Sequence, residues 1–252
     1  MSFFTLTRDF FTQPRFKQIF IFGVLVYCIA LFALVRGDVY YIDDWGHSTN
    51  PKTAWDHFSR FVGTALMHAV NLKPIVVDLS PLTQLIAVLF LVLGGMILNF
   101  AVRKKLDYIG VLAAIPLGLS PHFLENLSYK LDSTFMSFAV LCCIVPFLFR
   151  ERLVAFFTSS VVCLILMYCS YQASNGIYIV LGLYFALSLY FFDKKSVKQA
   201  LGFLFVCIGA FALASLIYKK WIVTPIDWGY ASDSMIPLSN LLNGGGSILK
   251  NT

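Results

Sequence analysis

The chain has 252 residues, of which 59% are hydrophobic and 13% are charged, and its formal net charge is +6. Soluble globular domains have about a quarter charged residues, so this composition excludes an ordinary soluble enzyme. Several apolar stretches approach the ~20 residues that cross a ~30 Å hydrocarbon core, and the ~10-residue alternating segments of a membrane β-barrel are absent. The composition therefore predicts an all-α polytopic membrane protein.

Seven apolar segments are candidate membrane spans, namely residues 18–35, 82–101, 107–120, 133–149, 153–171, 176–192 and 199–218. The third is short, and Pro116 with the Ser120-Pro121 pair predicts that it bends or continues past the bilayer face. We interpret residues 1–218 as one transmembrane domain. The tail, residues 219–252, contains a glycine run, and we expect it to lie outside the membrane and to continue in a longer protein.

Basic residues cluster in the short loops on one side of the predicted bundle. A cytoplasmic N-terminus places on that side Arg8, Arg15, Lys17, Arg103, Lys104, Lys105, Arg150, Arg152, Lys194, Lys195 and Lys198. Cytoplasmic loops of membrane proteins carry such an excess of Lys and Arg. We therefore expect a cytoplasmic N-terminus, and we attribute the basic charge to membrane topology rather than to nucleic-acid binding.

The longest predicted loop, residues 36–81, follows the first span and contains the adjacent acids Asp43 and Asp44. Carboxylates near a membrane boundary cost free energy unless water or a partner solvates them, so they are functional candidates. Adjacent side chains point in different directions, which predicts that the two acids have different roles. One carboxylate acts in the reaction, and the other orients a group or contacts a metal ion.

Residues 52–71 of the same loop have a helical period. The apolar and polar faces consist, respectively, of Trp55, Phe58, Val62, Leu66 and Ala69 and of Asp56, Arg60, Thr64 and His68. The pattern predicts an amphipathic helix along the membrane surface with its apolar side toward lipid. One interpretation is an interfacial anchor helix whose polar face is simply in contact with water; the other is that the polar face lines a functional cavity. An Asp56–Arg60 ion pair along the helix is compatible with both.

The segment SPHFLENLSYKLDS, residues 120–133, is the second unusual stretch. Ser120 followed by Pro121 is typical of a helix start. A helix that continues from there predicts one polar stripe, with Asn126 and Lys130 beside it, formed by His122, Glu125, Tyr129 and Asp132. The stripe either faces a watery cavity, as ionisable residues at a membrane usually do, or belongs to a solvated loop.

The turn SYQASNG, residues 170–176, is polar but uncharged. Its side chains Tyr171, Gln172 and Asn175 are candidates for hydrogen bonds to a sugar. The alternative is a tight turn with a tyrosine at the membrane interface. In the predicted topology this turn lies on the same side as the two segments above.

One chemistry fits carboxylates at a membrane face beside cations, namely transfer of a sugar from a lipid-linked phosphate to an acceptor hydroxyl. A carboxylate acts as general base for the acceptor. The departing phosphate is held by cations, for which the candidates are Arg60, Lys130 and a protonated His122. A divalent cation, Mg²⁺ or Mn²⁺, bound by Asp43 or Asp44 is a further candidate.

Three stretches, YYIDDWGH from residue 40, VVDLSPLTQLIAVL from residue 76 and SPHFLENLSYKLDSTFMSF from residue 120, resemble the serotype-converting O-antigen glucosyltransferases of enteric bacteria and their phages. The resemblance covers roughly residues 36–140, and the later spans match only in hydrophobic pattern. It implies a GT-C-like membrane architecture and a glucosyl donor on undecaprenyl phosphate. It also implies an O-antigen (lipopolysaccharide) acceptor at the periplasmic face of the bacterial inner membrane.

The same resemblance assigns Asp43 and Asp44 to the acidic pair of the family's first outer loop. It assigns to the second outer motif Glu125, Asn126, Tyr129, Lys130 and Asp132. The sequence departs from the family at His47, where arginine is frequent. Since a histidine is only partly charged near neutral pH, Arg60 becomes the better candidate for binding the phosphate. Family members are also longer, which predicts that this chain is the N-terminal part of a larger protein.

We therefore predict an inverting membrane glucosyltransferase whose candidate bases are, in order, Asp44, Asp43 and Glu125. Alternatives from other classes are a transporter or flippase of lipid-linked sugars and an inactive truncated remnant. Ion-coupled transport predicts ionisable residues deep within the spans. Such residues are absent from the predicted spans 18–35, 82–101, 133–149, 153–171 and 176–192, which disfavours the transporter.

Overall fold

The computed structural model describes residues 3–50 and 55–223, and within these ranges the chain forms helices, turns and loops but no strands. Its α-helices are α1 (Phe3–Phe11), α2 (Phe16–Gly37), α3 (Asp44–Thr49), α4 (Phe61–Asn71), α5 (Leu82–Arg103), α6 (Tyr108–Ala114), α7 (Pro116–Leu119), α8 (Pro121–Ser128), α9 (Ser133–Ile144), α10 (Leu153–Tyr168), α11 (Asn175–Phe191) and α12 (Val197–Ile217). Short 3₁₀ turns cover Asp56–Phe58, Val145–Phe149 and Gln172–Ser174, and a π turn, Tyr218–Ile222, follows α12.

Four helical segments are long and apolar enough to cross a membrane, namely Phe16–Gly37, Leu82–Arg103, Gln172–Phe191 and Val197–Ile222. The bent segment formed by α6, α7 and α8 makes a fifth if it counts as one span. The described chain is thus an all-α polytopic membrane protein, as its composition predicts.

The predicted number of seven spans is not confirmed, because two of the predicted spans correspond to shorter helices. Ser133–Phe149 and Leu153–Tyr168 are apolar but belong to the class of 10–17 residues. At ~1.5 Å per residue such helices reach at most about 25 Å, less than the ~30 Å hydrocarbon core. The apolar composition of α9 instead reflects burial, since this helix lies inside the bundle along almost its whole length, whereas α10 is buried on one face only.

Helix α5 is the centre of the bundle. It packs mainly against α9, with α2 and α6 also in contact with it. Helix α10 packs against α9 and α12, and α11 contacts α9 and α12. Because α9 is central, the turn that precedes it, residues 129–132, is held within the protein at one end of the bundle.

The two ends of the bundle differ in character. At the end that we call the loop end, the turn at residues 129–132 meets the segment after α2, and the start of α4 meets the turn before α11. At the opposite end, the basic end, Lys104 pairs with Glu151 at 2.5 Å and Arg150 lies 3.7 Å from Asp193. The candidate functional residues lie at the loop end.

The third predicted span is bent, as its prolines indicate, with 66° between α6–α7 and α8. Ser120 is extended (φ −63°, ψ 148°) because the residue before a proline is disfavoured in the helical conformation, and Pro121 then begins α8. Gly118 allows close packing beside the bend. A Cβ atom at this position would lie 2.7 Å from Leu91 and 2.8 Å from Tyr27.

The helix predicted over residues 52–71 is wrong in its first half, where residues 52–54 lie outside the described ranges. Ser59 has a left-handed backbone (φ 59°), and α4 begins only at Phe61. The break lets Trp55 turn inward, where its buried ring lies 4.9 Å from that of Phe135. Burial of so large an apolar side chain outweighs the few helical residues that it interrupts.

The two faces of α4 also differ from the prediction. Its buried residues are Gly63, Thr64 and Met67. Thr64, assigned to the polar face, accepts the backbone N–H of Trp55 at 3.2 Å, whereas Ala69, assigned to the apolar face, is exposed. Asp56 and Arg60 lie on either side of the break, and none of the ion pairs among the described residues joins them.

Candidate functional site

The Asp44 carboxylate joins the first loop to the turn after α8. Its Oδ2 atom accepts the backbone N–H groups of Tyr41 and Lys130, both at 3.0 Å, and its Oδ1 atom accepts that of Leu131 at 3.3 Å. The residue is only 1% exposed. These three backbone donors replace the hydrogen bonds to water that the carboxylate loses on burial. Asp44 thereby connects the first loop to the turn that follows α8, 86 residues later in the sequence.

This contact also explains why the polar stripe predicted from His122 to Asp132 does not form on one helix. The backbone N–H groups of residues 130 and 131 would bond to Asn126 and Leu127 if α8 continued. Asp44 accepts them instead, and α8 ends at Ser128. The stripe is therefore divided: His122 and Glu125 lie on α8, Tyr129 is extended, and Asp132 lies immediately before α9.

A second contact joins the same two segments at the surface. The Tyr41 hydroxyl donates to Oε1 of Glu125 at 3.0 Å, and its ring meets the edge of the Tyr129 ring at a centroid distance of 4.9 Å. Glu125 is exposed on α8. Burial and the nearby Asp43 charge raise the pKa of Tyr129 to about 12, so its hydroxyl is neutral at physiological pH.

Lys130 is buried and fully engaged with acids from the first loop. Its Nζ atom lies 2.5 Å from Oδ1 of Asp38 and 3.4 Å from Oδ2 of Asp78, and it also lies over the Tyr40 ring at 4.4 Å. Burial lowers the pKa of Lys130, but the two acids more than offset this effect, so the pKa is raised. The ammonium group is charged and neutralised within the protein, which leaves it little attraction for a substrate phosphate.

Arg60 has a different environment, although it was predicted for the same role. Its Nε atom donates to Oε1 of Gln172 at 3.1 Å, and its guanidinium lies over the rings of Phe58 and Tyr171 at 5.3 and 5.4 Å. None of the ion pairs among the described residues includes it. Arg60 is thus a half-buried cation that is positioned by an amide and two rings.

Gln172 uses its whole amide group to hold Arg60 in place. Its Oε1 atom accepts from Arg60, while its Nε2 atom donates to the Phe58 carbonyl at 3.1 Å and to the Tyr218 hydroxyl at 2.8 Å. The interpretation of this residue as a sugar ligand is therefore replaced by a positioning role. The amide connects the turn before α11 to the break before α4 and to the end of α12.

Asp132 is a buried acid at the start of α9. It is 4% exposed, and its Oδ1 atom has no hydrogen-bond partner among the described residues. Burial raises the pKa of Asp132 to about 7; the Arg60 charge opposes the shift, and Asp44 and Asp43 add to it. The carboxyl group is thus close to half protonated at neutral pH, and it is poorly placed to meet a substrate directly.

Two clefts at the loop end are lined by residues of the first loop, α8 and the turn before α11. The larger, about 590 Å³, lies between α7–α8 and α11 and is lined by Pro116, Leu117, Ser120, His122, Phe123, Glu125, Asn126, Tyr171, Ala173, Ser174 and Ile177. The smaller, about 250 Å³, lies beside the end of α2 and includes Asp38, Tyr41, Ser128 and Lys130. Glu125 lines the first cleft, and its hydrogen-bond partner Tyr41 lines the second.

The remaining predicted site residues occupy several positions. Asp43 is exposed immediately before α3, and His122 is exposed on α8. Asn126 is half-buried and lines the larger cleft. His47 belongs to α3, but its side chain lies outside the described part of the structure.

The acidic pair does not form a metal-binding cage. Among residues 3–50 and 55–223, no three side chains of His, Cys, Asp or Glu are arranged to hold a metal ion. The Asp44 oxygens already accept three backbone N–H groups, and Asp43 alone supplies one carboxylate. Of the acidic pair, only Asp43 therefore has a carboxylate that is available to a divalent cation, and Mg²⁺ would take its other oxygen ligands from water and a substrate phosphate.

Sequence reasoning missed Asp38, Asp78 and Tyr41. The signal available in the sequence was that two acids of the first loop, Asp38 and Asp78, had no assigned basic partner. They pair with Lys130 across 92 and 52 residues of sequence, and no local pattern reports such a pairing. Tyr41 lies next to the acidic pair in sequence, but only the fold brings it to Glu125.

Comparisons with known proteins assign most of the chain to one family. A family model described as Glucosyl transferase GtrII matches residues 31–244. An uncharacterized 55.3 kDa protein encoded in the gtrB 5′ region of Salmonella phage P22 is 28% identical over 134 residues, which are 52% of this chain and 26% of that protein. The chain thus matches about a quarter of the length of this relative. No solved structure matches the chain. Because the family model covers most of the sequence and every segment at the loop end, the chain belongs to the GtrII glucosyl transferase family.

Proposed function

We propose that this chain forms the membrane-embedded site of an inverting glucosyltransferase. The donor is undecaprenyl-phosphate-glucose, and the acceptor is an O-antigen sugar hydroxyl at the periplasmic face of the inner membrane. The observation that carries the proposal is the junction made by Asp44 and by the Tyr41–Glu125 hydrogen bond. This junction brings two acidic segments together at one end of a membrane bundle, where Arg60 is a cation without an ion-pair partner among the described residues.

The roles of the carboxylates follow from their surroundings. Asp44 already accepts three backbone bonds, and Asp132 is buried, so neither meets an incoming hydroxyl without rearrangement. Glu125 and Asp43 are exposed. We assign the general base to Glu125, which lines the larger cleft, with Asp43 as second choice. Asp44, ranked first from the sequence, becomes a positioning residue.

In the reaction, the acceptor oxygen attacks the anomeric carbon of the glucosyl group from the face opposite the phosphate. The acceptor proton passes to the Glu125 carboxylate. The bond between the anomeric carbon and the phosphate oxygen breaks, and the bonding pair leaves with undecaprenyl phosphate. The Arg60 guanidinium stabilises the phosphate as its charge grows. The anomeric configuration inverts because one displacement occurs.

The test compares Glu125→Gln, Asp43→Asn and Asp44→Asn, each made in the full-length natural protein that contains this sequence and assayed in membranes. The readout is transfer of labelled glucose from undecaprenyl-phosphate-glucose to O-antigen. We expect Glu125→Gln to lower the transfer rate by at least about 100-fold, the usual range for loss of a general base. The thermal stability of this variant should change little, because the side chain is exposed and the glutamine Oε1 atom can still accept the hydrogen bond from the Tyr41 hydroxyl.

The other two variants separate chemistry from structure. Asp44→Asn should lower both transfer and thermal stability, since an amide nitrogen cannot accept the backbone N–H groups that the carboxylate holds. Asp43→Asn should leave stability unchanged. Full transfer by Glu125→Gln with loss in Asp43→Asn would move the base to Asp43. Absence of glucose transfer by the unaltered protein would reject the proposed function.

A further inference from the structure

A cleft of about 800 Å³ lies at the basic end, between the ends of α5 and α11 and the starts of α10 and α12. We call it the basic cleft. Its charged lining consists of three cations and two acids, namely Lys104, Arg150, Lys195, Glu151 and Asp193. The chain segments that supply them, residues 103–107, 150–152 and 193–198, contain eight Lys or Arg residues and three acids. The basic cleft therefore lies within a surplus of positive charge.

Both acids of the basic cleft already have cationic neighbours. Glu151 lies 2.5 Å from Nζ of Lys104, and Asp193 lies 3.7 Å from Nη1 of Arg150. Lys195 is exposed, and none of the ion pairs among the described residues includes it. The Lys104–Glu151 pair is itself partly exposed, and such pairs contribute little to stability, so an incoming anion can share Lys104 at small cost.

Arg150 is held in one orientation beside these lysines. Its Nε atom donates to the Ala101 carbonyl at 3.1 Å, and its guanidinium lies 4.9 Å from the centroid of the Phe185 ring. The 3.7 Å separation from Asp193 is longer than a hydrogen bond, so this carboxylate does not occupy the Nη1 donor. A planar, permanently charged group that is already positioned loses little conformational freedom when it binds an anion.

Apolar surface adjoins the basic cleft. Leu189 and Phe203 line it together with the charged side chains. A second cleft of about 400 Å³, which we call the apolar cleft, lies between α5, α6 and α11 and is lined mainly by apolar residues such as Ile109 and Val180. Val102 lines both clefts. The pair of clefts is therefore complementary to a ligand that has an anionic head and a hydrocarbon chain.

The surroundings favour a lipid over a soluble anion. Val154, Phe191 and Phe192, next in sequence to residues around the basic cleft, are 81%, 65% and 77% exposed. Exposed apolar side chains of a membrane protein contact lipid rather than water. The basic cleft thus lies at the boundary between hydrocarbon and headgroups, where lipid phosphates are found. A soluble anion would cover the charged lining and leave the apolar lining open.

We propose that the two clefts at the basic end bind an anionic glycerophospholipid of the surrounding leaflet. The lipid phosphate contacts Lys195 and Arg150 in the basic cleft, and one acyl chain passes Val102 into the apolar cleft. Basic clefts between transmembrane helices bind anionic headgroups by the same physics. The bound lipid connects the ends of α5 and α11 to the starts of α10 and α12. The site is at the opposite end of the bundle from Glu125 and does not depend on the proposed function.

Native mass spectrometry of the full-length natural protein in detergent tests the site. The probes are phosphatidylglycerol and phosphatidylcholine with identical acyl chains. We expect the unaltered protein to retain phosphatidylglycerol at least tenfold better. Lys195→Gln should lower this retention about fivefold, equivalent to about 1 kcal/mol, the usual contribution of one lysine near anionic lipid. Retention of phosphatidylcholine should not change.

Lys198→Gln is the matched control for charge. Lys198 is exposed at the same end, three residues from Lys195, and lines neither cleft. Its replacement removes the same charge and should leave the retention of phosphatidylglycerol unchanged. Equal losses in the two variants would show attraction by the general surface charge, and they would overturn a defined site.

A second pair of variants tests the space in the basic cleft. A Cβ atom at Gly202 meets nothing within 4 Å, so the ring in Gly202→Trp can enter the cleft and should abolish the preference for phosphatidylglycerol. Leu201 is exposed on α12 and lines neither cleft, so Leu201→Trp should keep the preference. Full retention by Gly202→Trp would overturn the proposal.

Glycerol 3-phosphate distinguishes a lipid from a soluble anion, because it has the phosphate and lacks the acyl chains. A large molar excess should displace little phosphatidylglycerol from the unaltered protein. Complete displacement would assign the basic cleft to a soluble anion and reject the lipid. Equal retention of the two phospholipids by the unaltered protein would also reject it.

Discussion

Three ionisable side chains at the loop end show three ways to place a polar group inside a membrane protein. Asp44 is surrounded by backbone N–H groups, Lys130 is paired with two carboxylates, and Asp132 binds a proton more tightly. Each arrangement reduces the cost of removing a charge from water. In the sequence all three are simply ionisable residues near a membrane face, and their roles become distinct only through these surroundings.

The raised pKa of Asp132 predicts that stability depends on pH. In the folded protein the pKa is about 7, against an ordinary value of 3.8. Because burial favours the protonated form, this group's contribution to folding is complete below about pH 4 and is lost as the pH rises through 7. We expect the Tm of the detergent-solubilised protein to fall between pH 5 and pH 8 more than that of Asp132→Asn.

Asp56→Asn is the control for this measurement, because Asp56 is an exposed acid of the first loop. Its pH dependence should follow that of the unaltered protein. A Tm difference between Asp132→Asn and the unaltered protein that is the same at pH 5 and at pH 8 would contradict a raised pKa for Asp132.

At the scale of elements, the ends of helices were decided by contacts that the sequence pattern does not contain. The periodic pattern correctly indicated a helix start at Ser120-Pro121, because proline acts on its own neighbours. The end of α8 depends instead on Asp44, 86 residues away from Lys130. The start of α4 depends on burial of Trp55 against Phe135. Local propensity cannot report either contact.

The packing of the bend before α8 gives a prediction at this scale. Gly118→Ala places a methyl group within 2.8 Å of the Leu91 and Tyr27 side chains, and it crowds the hydrogen bond from the Tyr27 hydroxyl to the Ile115 carbonyl. We expect a loss of about 1–3 kcal/mol of folding free energy, as for other overpacked sites. The measurement is thermal unfolding in detergent, together with glucose transfer.

Gly202→Ala on α12 is the matched control. A Cβ atom there meets nothing within 4 Å, so the change should be neutral or stabilise the helix by roughly 0.5–1 kcal/mol. If both alanine variants unfold at the same temperature as the unaltered protein, close packing at Gly118 does not position α8.

The whole molecule has a loop end with the candidate site and a basic end with Lys104, Arg150 and Lys195. Helix α11 runs from one to the other, since it begins after Ala173 and ends before Lys195. The predicted orientation puts the basic end in the cytoplasm, in accordance with the usual excess of Lys and Arg there. The proposed reaction requires the loop end to face the periplasm.

Cysteine labelling tests this orientation. The native cysteines are buried or half-buried, and the positions of Ala173 and Lys195 are exposed. In spheroplasts, a membrane-impermeant maleimide should label Ala173→Cys directly and Lys195→Cys only after the membrane is permeabilised. The reverse result would place the loop end in the cytoplasm, and the unaltered protein gives the background.

The sequence by itself determined the class of the protein, most of its helices and the segments that carry the site. These features follow from apolar length, period and proline chemistry, which act over a few residues. Tertiary structure alone decided that the polar stripe predicted from His122 to Asp132 is divided, that Lys130 is paired with two acids and that Arg60 is not in any ion pair among the described residues. It also decided that Asp44 holds the site together, because the cost of a buried charge depends on partners that lie 86 or 92 residues away in the sequence.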